Sequence, residues 1–308
     1  MSITRASLGR GPAHVTIGGA TLFTRDDLVV PHAPEWQAVS SSMHGQTNKF
    51  KSDLVIKLNL MLFGIWDKLS VLFPAALLSP VPGTSIFGTT DSAVVIHARN
   101  GDRITYANGQ ITKLGDLFLG VDSELWAAAV EITCLLKNAT EPETAGAYFV
   151  RDTAAYTDTA FAMTKFKKCR WSAAWTGKTG LTAFVGEKGF NVSWQLDLKP
   201  QKVDGYGTVD MYVGPGGLVA GCKCVPIGPT GAQVDTAQAT AAAHGALLSG
   251  GGADLTLTGT DAAVVLKGAG MVSSTSAFGV DPLRVGEVAW ETTRAVTAGV
   301  ASAAATVA

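Results

Sequence analysis

The strongest constraint on this chain is that it repeats itself. Asp91-Ser92-Ala93-Val94-Val95-Ile96 returns as Asp261-Ala262-Ala263-Val264-Val265-Leu266, 170 residues on (261 − 91). Gly120-Val121-Asp122 returns as Gly279-Val280-Asp281, at 159 (279 − 120), and Val130-Glu131-Ile132-Thr133 returns loosely as Trp290-Glu291-Thr292-Thr293, at 160 (291 − 131). Three blocks in one order, with one length change between them, point to the duplication of a whole folding unit, which must be settled before a fold is assigned. The length change itself is cheap, since doubling a loop costs only ~0.6 kcal/mol. With 308 residues, two ordinary domains fit. The boundary falls near residue 150, within the polar stretch Asn138 to Phe166 that begins with a Glu141-Pro142-Glu143 break, which gives units 1–150 and 151–308.

The repeated units read as mainly β. Leu54, Ile56, Leu58, Leu60 and Leu62 alternate with Asp53, Lys57 and Asn59, so Ser52 to Phe63 is a strand with one dry face and one polar face. Placing Lys57 on Asp210 pairs it with Val209, Met211 and Val213 against Thr208, Asp210 and Tyr212, until Gly214-Pro215-Gly216-Gly217 cuts that strand short. Pro74 and Pro226 follow at a nearly equal offset. Ala13 to Ile17, the turn Gly18-Gly19 and Thr21 to Thr24 predict a hairpin. Helix signals are few: Gln233 to Leu248, with Asp235 near its start and Gly250-Gly251-Gly252 behind it, and a short segment Ile65 to Leu72 in the first unit. From His97 to Lys113, the turn signals Asn100-Gly101 and Asn108-Gly109 bracket Ile104-Thr105-Tyr106, which predicts an exposed hairpin arm.

Chemistry is harder to find. Charged residues are only 16% of the chain and the net charge is −1, so there is no basic footprint for gripping nucleic acid. Gly177-Lys178-Thr179 lacks the upstream glycine of a phosphate loop, Ser172 standing in its place. Cys222 and Cys224 share one face of a strand and read as two buried thiols rather than metal ligands. The five histidines form no metal or protease pattern, and no nucleophile elbow is present. The expectation is a protein without catalytic residues, metal or cofactor. The apolar region Leu54 to Leu78 is broken by Lys57, Asp67, Lys68 and Pro74, too short a run for a membrane span. Residues 1–12 read as a flexible arm without a secretion signal, and four cysteines then fit a reducing compartment. So few charges point to surface covered by other copies.

In its early strand-turn-strand (Val15 to Phe23), its Ser40 to Lys51 loop, the amphipathic strand Ser52 to Phe63, the helical segment ending at Pro74 and the closing strand through Glu131, each half resembles the tail tube (major tail) proteins of long-tailed bacteriophages. The resemblance implies two tandem β-sandwich or barrel-like domains, each with a short flanking helix. It implies rings of three two-domain chains, stacked around a channel that conducts double-stranded DNA without reading its sequence. Tape measure and tail-end proteins would be partners, and the subunit would be made in the host bacterial cytoplasm and reside in the virion tail. Ring-forming tail-terminator, connector and bacterial injection-device proteins of the same fold are the alternative. In this reading Asp53, Lys57, Asn59, Thr208, Asp210 and Tyr212 face the channel. Arg99, Asp102, Ile104 and Tyr106 belong to the arm that reaches the next ring. An enzyme with a dispersed site is a competing class, and so is a binding module presenting Trp36, Trp126 and Trp175.

Overall fold

The computed structural model describes residues 13–24, 36–41, 45–51, 55–63, 69–73, 81–87, 92–98, 100–120, 127–135, 150–156, 170–204, 207–241, 253–259, 262–276, 285–292, 296–297, 300–301 and 305–307. The first half contributes β1 (Ala13–Ile17), β2 (Ala20–Thr24), β3 (Trp36–Ser41), β4 (Gly45–Lys51), β5 (Val55–Phe63), α1 (Leu69–Leu72), β6 (Ser92–Ala98), β7 (Asp102–Leu119), β8 (Ala127–Leu135) and β9 (Val150–Thr153). The second contributes β10 (Ser172–Trp175), β11 (Val185–Gly186), β12 (Phe190–Val203), β13 (Gly207–Cys224), β14 (Pro226–Ile227), α2 (Gly231–Ala241), β15 (Ala253–Thr258), β16 (Ala263–Ser276) and β17 (Val285–Thr292). The C-terminal tract forms short strands, β18 (Val296–Thr297), β19 (Val300–Ala301) and β20 (Ala305–Val307), the last on β16. The protein is mainly β, and one antiparallel sheet of 14 strands runs through both halves.

The first half closes on itself. β1 pairs with β2 across Gly18-Gly19, both at positive φ as a two-residue hairpin turn requires. β2 then pairs with β5, β5 with β8, β8 with β7, β7 with β6, and β6 with β1. Six strands therefore make a ring without an open edge in its pairing order. Its interior is filled from alternate positions: on β5, Ile56, Leu58, Leu60 and Leu62 are buried while Lys57, Asn59 and Met61 are exposed. The period-two reading of this strand holds for its described residues, and Asp53 and Leu54 lie outside them.

The same pairing order recurs in the second half. β10 pairs with β15, β15 with β16, β16 with β17, and β17 with the C-terminal part of β13. β14 continues β13 and pairs with β11, and Phe184, beside β11, exchanges two backbone hydrogen bonds with Ala173 of β10 (2.7 and 2.9 Å). Strand for strand, β10, β11, β13–β14, β15, β16 and β17 take the places of β1, β2, β5, β6, β7 and β8.

This pairing order corrects two alignments drawn from the sequence. By ladder position, β6 corresponds to β15, so the Asp91 block does not match the Asp261 block, which leads into β16. Asn59 and Gly221 both lie opposite the repeated glutamate, Glu131 in one half and Glu291 in the other. The offset is therefore 162 (221 − 59), not 153, and Lys57 falls on Val219 rather than Asp210. The same 162 carries β3 onto 198–203, β4 onto 207–213 and the start of α1 onto the start of α2. The run Val209 to Val213 is thus the counterpart of β4.

Gly214-Pro215-Gly216-Gly217 does not end the strand. It bulges out opposite Asp197, where the register jumps from Leu196↔Leu218 to Leu198↔Val213. The Asp197 carboxylate accepts the Gly216 N–H at 3.0 Å and an ion pair from Lys199 at 3.2 Å. A side chain at Gly214 would strike that carboxylate, its Cβ falling 2.3 Å from Oδ2. α2 begins two residues earlier than expected because Thr230 and Gln233 form a reciprocal cap: the Thr230 N–H donates to Gln233 Oε1 (2.8 Å) and the Gln233 N–H to Thr230 Oγ1 (3.3 Å).

The expected arm from His97 to Lys113 is overturned. Asn100-Gly101 does turn the chain between β6 and β7, but Asn108-Gly109 lies inside β7, paired with Leu135 and Cys134. Gly109 is needed for packing, since a Cβ there would fall 2.3 Å from Val94 Cγ2. Ile104 is buried and Tyr106 is fully so. The segment belongs to the core because β7 is flanked along its length, by β6 and then β12 in some ladders and by β9 and then β8 in others.

The two faces of β5 should respond oppositely to one added charge. Leu58→Asp places a carboxylate in a fully apolar interior, which costs several kcal/mol, whereas Asn59→Asp adds it to a wet face, where its position opposite Glu131 limits the cost to about 1 kcal/mol or less. Thermal melts of the two variants check this, and equal melting temperatures would contradict the face assignment.

Candidate functional site

The feature that positions everything else is the joint between the halves. Residues 190–195 of β12 lie between β7 on one edge and β13 on the other: Trp194 is opposite both Leu114 and Ala220, and Gln195 opposite both Lys113 and Val219. The result is a row of seven strands, β5-β8-β7-β12-β13-β17-β16. Directly opposed residues share a face, so the row has two continuous surfaces. One is apolar: Leu60, Val130, Leu114, Trp194 and Ala220 form a ladder, continued by Val192, Cys222, Trp290 and Met271, all buried in a single core.

The other surface is polar and runs through Asn59, Glu131, Lys113, Gln195 and Val219, overlapping Ser193, Gly221, Glu291 and Gly270. A bulge in β7 puts both Thr112 and Lys113 opposite Glu131. Thr112 Oγ1 lies 3.1 Å from Glu131 Oε1 and 2.8 Å from Thr133 Oγ1. Lys57 Nζ donates to the same Glu131 oxygen at 3.0 Å. Lys57 and Lys113 therefore flank one carboxylate, and the face carries both signs of charge. An exposed pair of this kind contributes about 0–1 kcal/mol to stability, so its consequence is the electrostatic character of the wall.

Of the predicted channel residues, Lys57 and Asn59 lie on this face. Thr208, Asp210 and Tyr212 do not. They belong to the outer part of the β12–β13 hairpin, which is covered by residues 81–87 of the first half. The Gly83 N–H donates to the Val213 carbonyl (2.8 Å), the Val213 N–H to Thr84 (2.9 Å) and the Ile86 N–H to Met211 (3.1 Å). Thr208 is buried, the Asp210 carboxylate accepts the Ser85 hydroxyl at 2.8 Å, and Tyr212 bridges Ser85. Val209 packs on Leu135 with Val55 and Phe87. The hairpin of one half thus clasps the other half, while its tip, residues 199–204, stays exposed.

Of the predicted arm residues, Arg99 lies outside the described residues. Asp102 pairs with Arg151 (3.2 Å), next to a two-point pair in which Arg103 Nε donates to Asp152 Oδ1 at 2.8 Å and Arg103 Nη2 to Asp152 Oδ2. These pairs pin β9 to β7. The Tyr156 hydroxyl lies 2.8 Å from His14 Nε2, so residues through 156 pack on the first half. The sequence missed β12 as the joining strand; the signal available was the repeated glutamate on β8 and β17, which locates the shared face.

The remaining motifs are structural. Cys222 and Cys224 are buried, as expected from their spacing, and burial pushes the Cys224 and Cys134 thiols up to about 12 and the Cys222 thiol well above its ordinary value. Trp175 is core, its indole N–H bonded to the Ala253 and Ala269 carbonyls. The Trp36 side chain and Trp126 lie outside what is described. Among the described residues, no cluster of three His, Cys, Asp or Glu side chains could hold a metal, and no helix is long and apolar enough to cross a membrane. No family model matches the chain, and no curated protein matches it in sequence.

The clasp carries a pH signature. The Gly216 N–H, and then Lys199, hold Asp197 below its ordinary value of 3.8. A depressed carboxylate stabilises the fold fully above that value and loses its contribution as pH falls through it. Stability should therefore drop below about pH 4, and Asp197→Asn should flatten the drop, since the amide does not titrate. Denaturant melts from pH 6 to pH 2.5 measure it, and an identical acid limb in the variant would rule out the Asp197 contribution.

Proposed function

We propose that this protein is the structural subunit of a bacteriophage tail tube, whose rings stack around a channel that conducts double-stranded DNA. The observation that carries the reading is the recurrence of one six-strand pairing order in two halves joined edge to edge through β12. Such a joint is heterologous: one surface of a unit meets a different surface of the next, and repetition of it closes a ring or extends a filament. Two tandem tail-tube-like domains, each a barrel-like ring of strands with a helix, are the natural units of that repetition.

The polar face indicates how many units are needed. One chain's seven strands, closed alone, would make a barrel too narrow for anything but packed side chains. That closure would bury Lys57, Lys113, Glu131 and Glu291, at several kcal/mol per unpaired ion. Three chains bring 21 strands of this row to one wall (3 × 7), which at ~4.8 Å spacing and ~40° tilt encloses a backbone diameter of roughly 40 Å. That leaves room for a duplex and for a hydrated lining of mixed charge. A wall of both signs suits a conduit, because a strongly basic lining would hold phosphates.

In this reading Lys57, Asn59, Lys113, Glu131, Gln195 and Glu291 line the channel. The chain acts without catalysis or cofactor, and tape measure and tail-end proteins are its partners. It is made in the cytoplasm of a bacterial host and incorporated into the virion tail. Cryo-microscopy of the purified, assembled protein tests the stoichiometry. Three chains per ring with alternating halves is the expected result, and six chains per ring, or no ring, would refute it.

A further inference from the structure

We infer that the two halves meet a passing duplex with opposite charge: the first half receives its phosphates on Lys113, backed by Lys57, and the second half turns them away at Glu291. This rests on the tube reading and deepens it, because it names which of the two kinds of unit in the wall the DNA touches.

The inference follows from the repeated glutamate in its two settings. In the first half Glu131 is enclosed. Lys57 Nζ donates to its Oε1 at 3.0 Å, Thr112 Oγ1 lies 3.1 Å from the same oxygen, and only 19% of the side chain is exposed. Its charge is thus already matched by Lys57. Lys113, opposite Glu131 on the next strand, is exposed and forms no ion pair among the described residues. One ammonium group is left over on this part of the wall.

In the second half the same glutamate is bare. At offset 162 the place of Lys57 is taken by Val219, which is 49% exposed. The residue directly opposite Glu291 on β16, where Lys113 stands in the first half, is Gly270, and its neighbour on β13 is Gly221. Glu291 is exposed, has glycine on both sides and pairs with no cation among the described residues. Lys223 shares the face but lies opposite Ala289, as a diagonal neighbour, and forms no ion pair with it. Further along β17 comes a second exposed carboxylate, Glu287. Around the repeated glutamate, the described side chains of the first half therefore set two ammonium groups against one carboxylate, and those of the second half reverse the ratio.

Opposite signs on alternating units have a mechanical meaning for a polyanion. A phosphate gains at Lys113 by releasing counterions and loses at Glu291 by like-charge repulsion. Both effects act within a Debye length, ~8 Å at physiological salt. In a ring of alternating halves each attracting patch is followed by a repelling one, so the duplex is guided without being held.

These side chains are exposed on the single chain. Titrating a short labelled DNA duplex by fluorescence anisotropy, from about 20 to 200 mM salt, therefore reads the surface directly. Lys113→Gln should weaken binding at least about threefold and make the log–log salt slope shallower by about one, and Lys113→Arg should restore both. Glu291→Gln should strengthen binding at least about threefold, and so should Val219→Lys, which gives the second half the lysine of the first. Lys202→Gln, on the exposed hairpin tip, should leave binding unchanged. The two gain variants keep the test decisive if Lys113→Gln fails to fold or the wild-type chain binds too weakly to measure. Unchanged binding in either gain variant overturns the inference, as does a loss in Lys202→Gln equal to that in Lys113→Gln. Cryo-microscopy of the same preparations separates this from the tube reading. Rings of three chains with unchanged binding leave that reading intact, whereas the absence of rings overturns it whatever the DNA does.

Discussion

Everything in this structure depends on one strand having two partners. β12 satisfies the backbone groups of β7 on one side and of β13 on the other, and so converts two self-closed rings of strands into a single sheet. Backbone N–H and C=O groups are obligatory hydrogen-bonding groups, so a strand edge that is not closed within its own ring must be met from elsewhere. β7 is 18 residues long and outruns β6, which leaves its C-terminal edge to be met from the other half. The buried ladder through Leu114, Trp194 and Ala220 supplies the apolar contact beneath that edge, and the Trp194 indole N–H reaches the Leu72 carbonyl of α1 at 2.9 Å. Packing and hydrogen bonding thus lock the same joint.

The glycines show how close that approach is. Gly120, at the end of β7, lies against the turn that leads into β12. A Cβ on Gly189 would fall 2.4 Å from the Leu119 carbonyl oxygen, and one on Gly120 would fall 2.3 Å from that of Lys188. Backbone touches backbone here, which only glycine permits. Local chemistry and the global arrangement therefore agree at the joint.

The faces of β5 were legible in the sequence, because period two over nine residues has one physical explanation when a single face is buried. The recurrence was legible too, through Glu131 and Glu291. Its register in the other strands was not. The clear alternation Val209, Met211, Val213 attracted the match to β5, whereas the true counterpart, Leu218 to Cys224, contains a glycine and two cysteines and sits behind a four-residue bulge that interrupts the period. The misread arm has a similar cause. Asn-Gly marks a turn when the glycine needs a positive φ, as Gly101 does, but Gly109 is required because Val94 occupies the space a side chain would need. Composition cannot distinguish those two reasons. That register had set Thr208, Asp210 and Tyr212 against the polar face of β5, and the pairing puts them on the covered hairpin instead.

The dependence of β7 on β12 also has a consequence in time. Residues 113–119 leave the ribosome about 70 residues ahead of 190–195, which at ~5–20 residues per second is an interval of roughly 4–14 s. During it the first ring can close, since all six of its strands precede residue 136. β9 then arrives and is held on β7 by its ion pairs, well before its other edge is covered. A growing chain therefore carries a folded half with one bare strand edge, in a polysome where identical halves are close neighbours. The order of synthesis makes identical halves the first competitors for that edge until β12 is made.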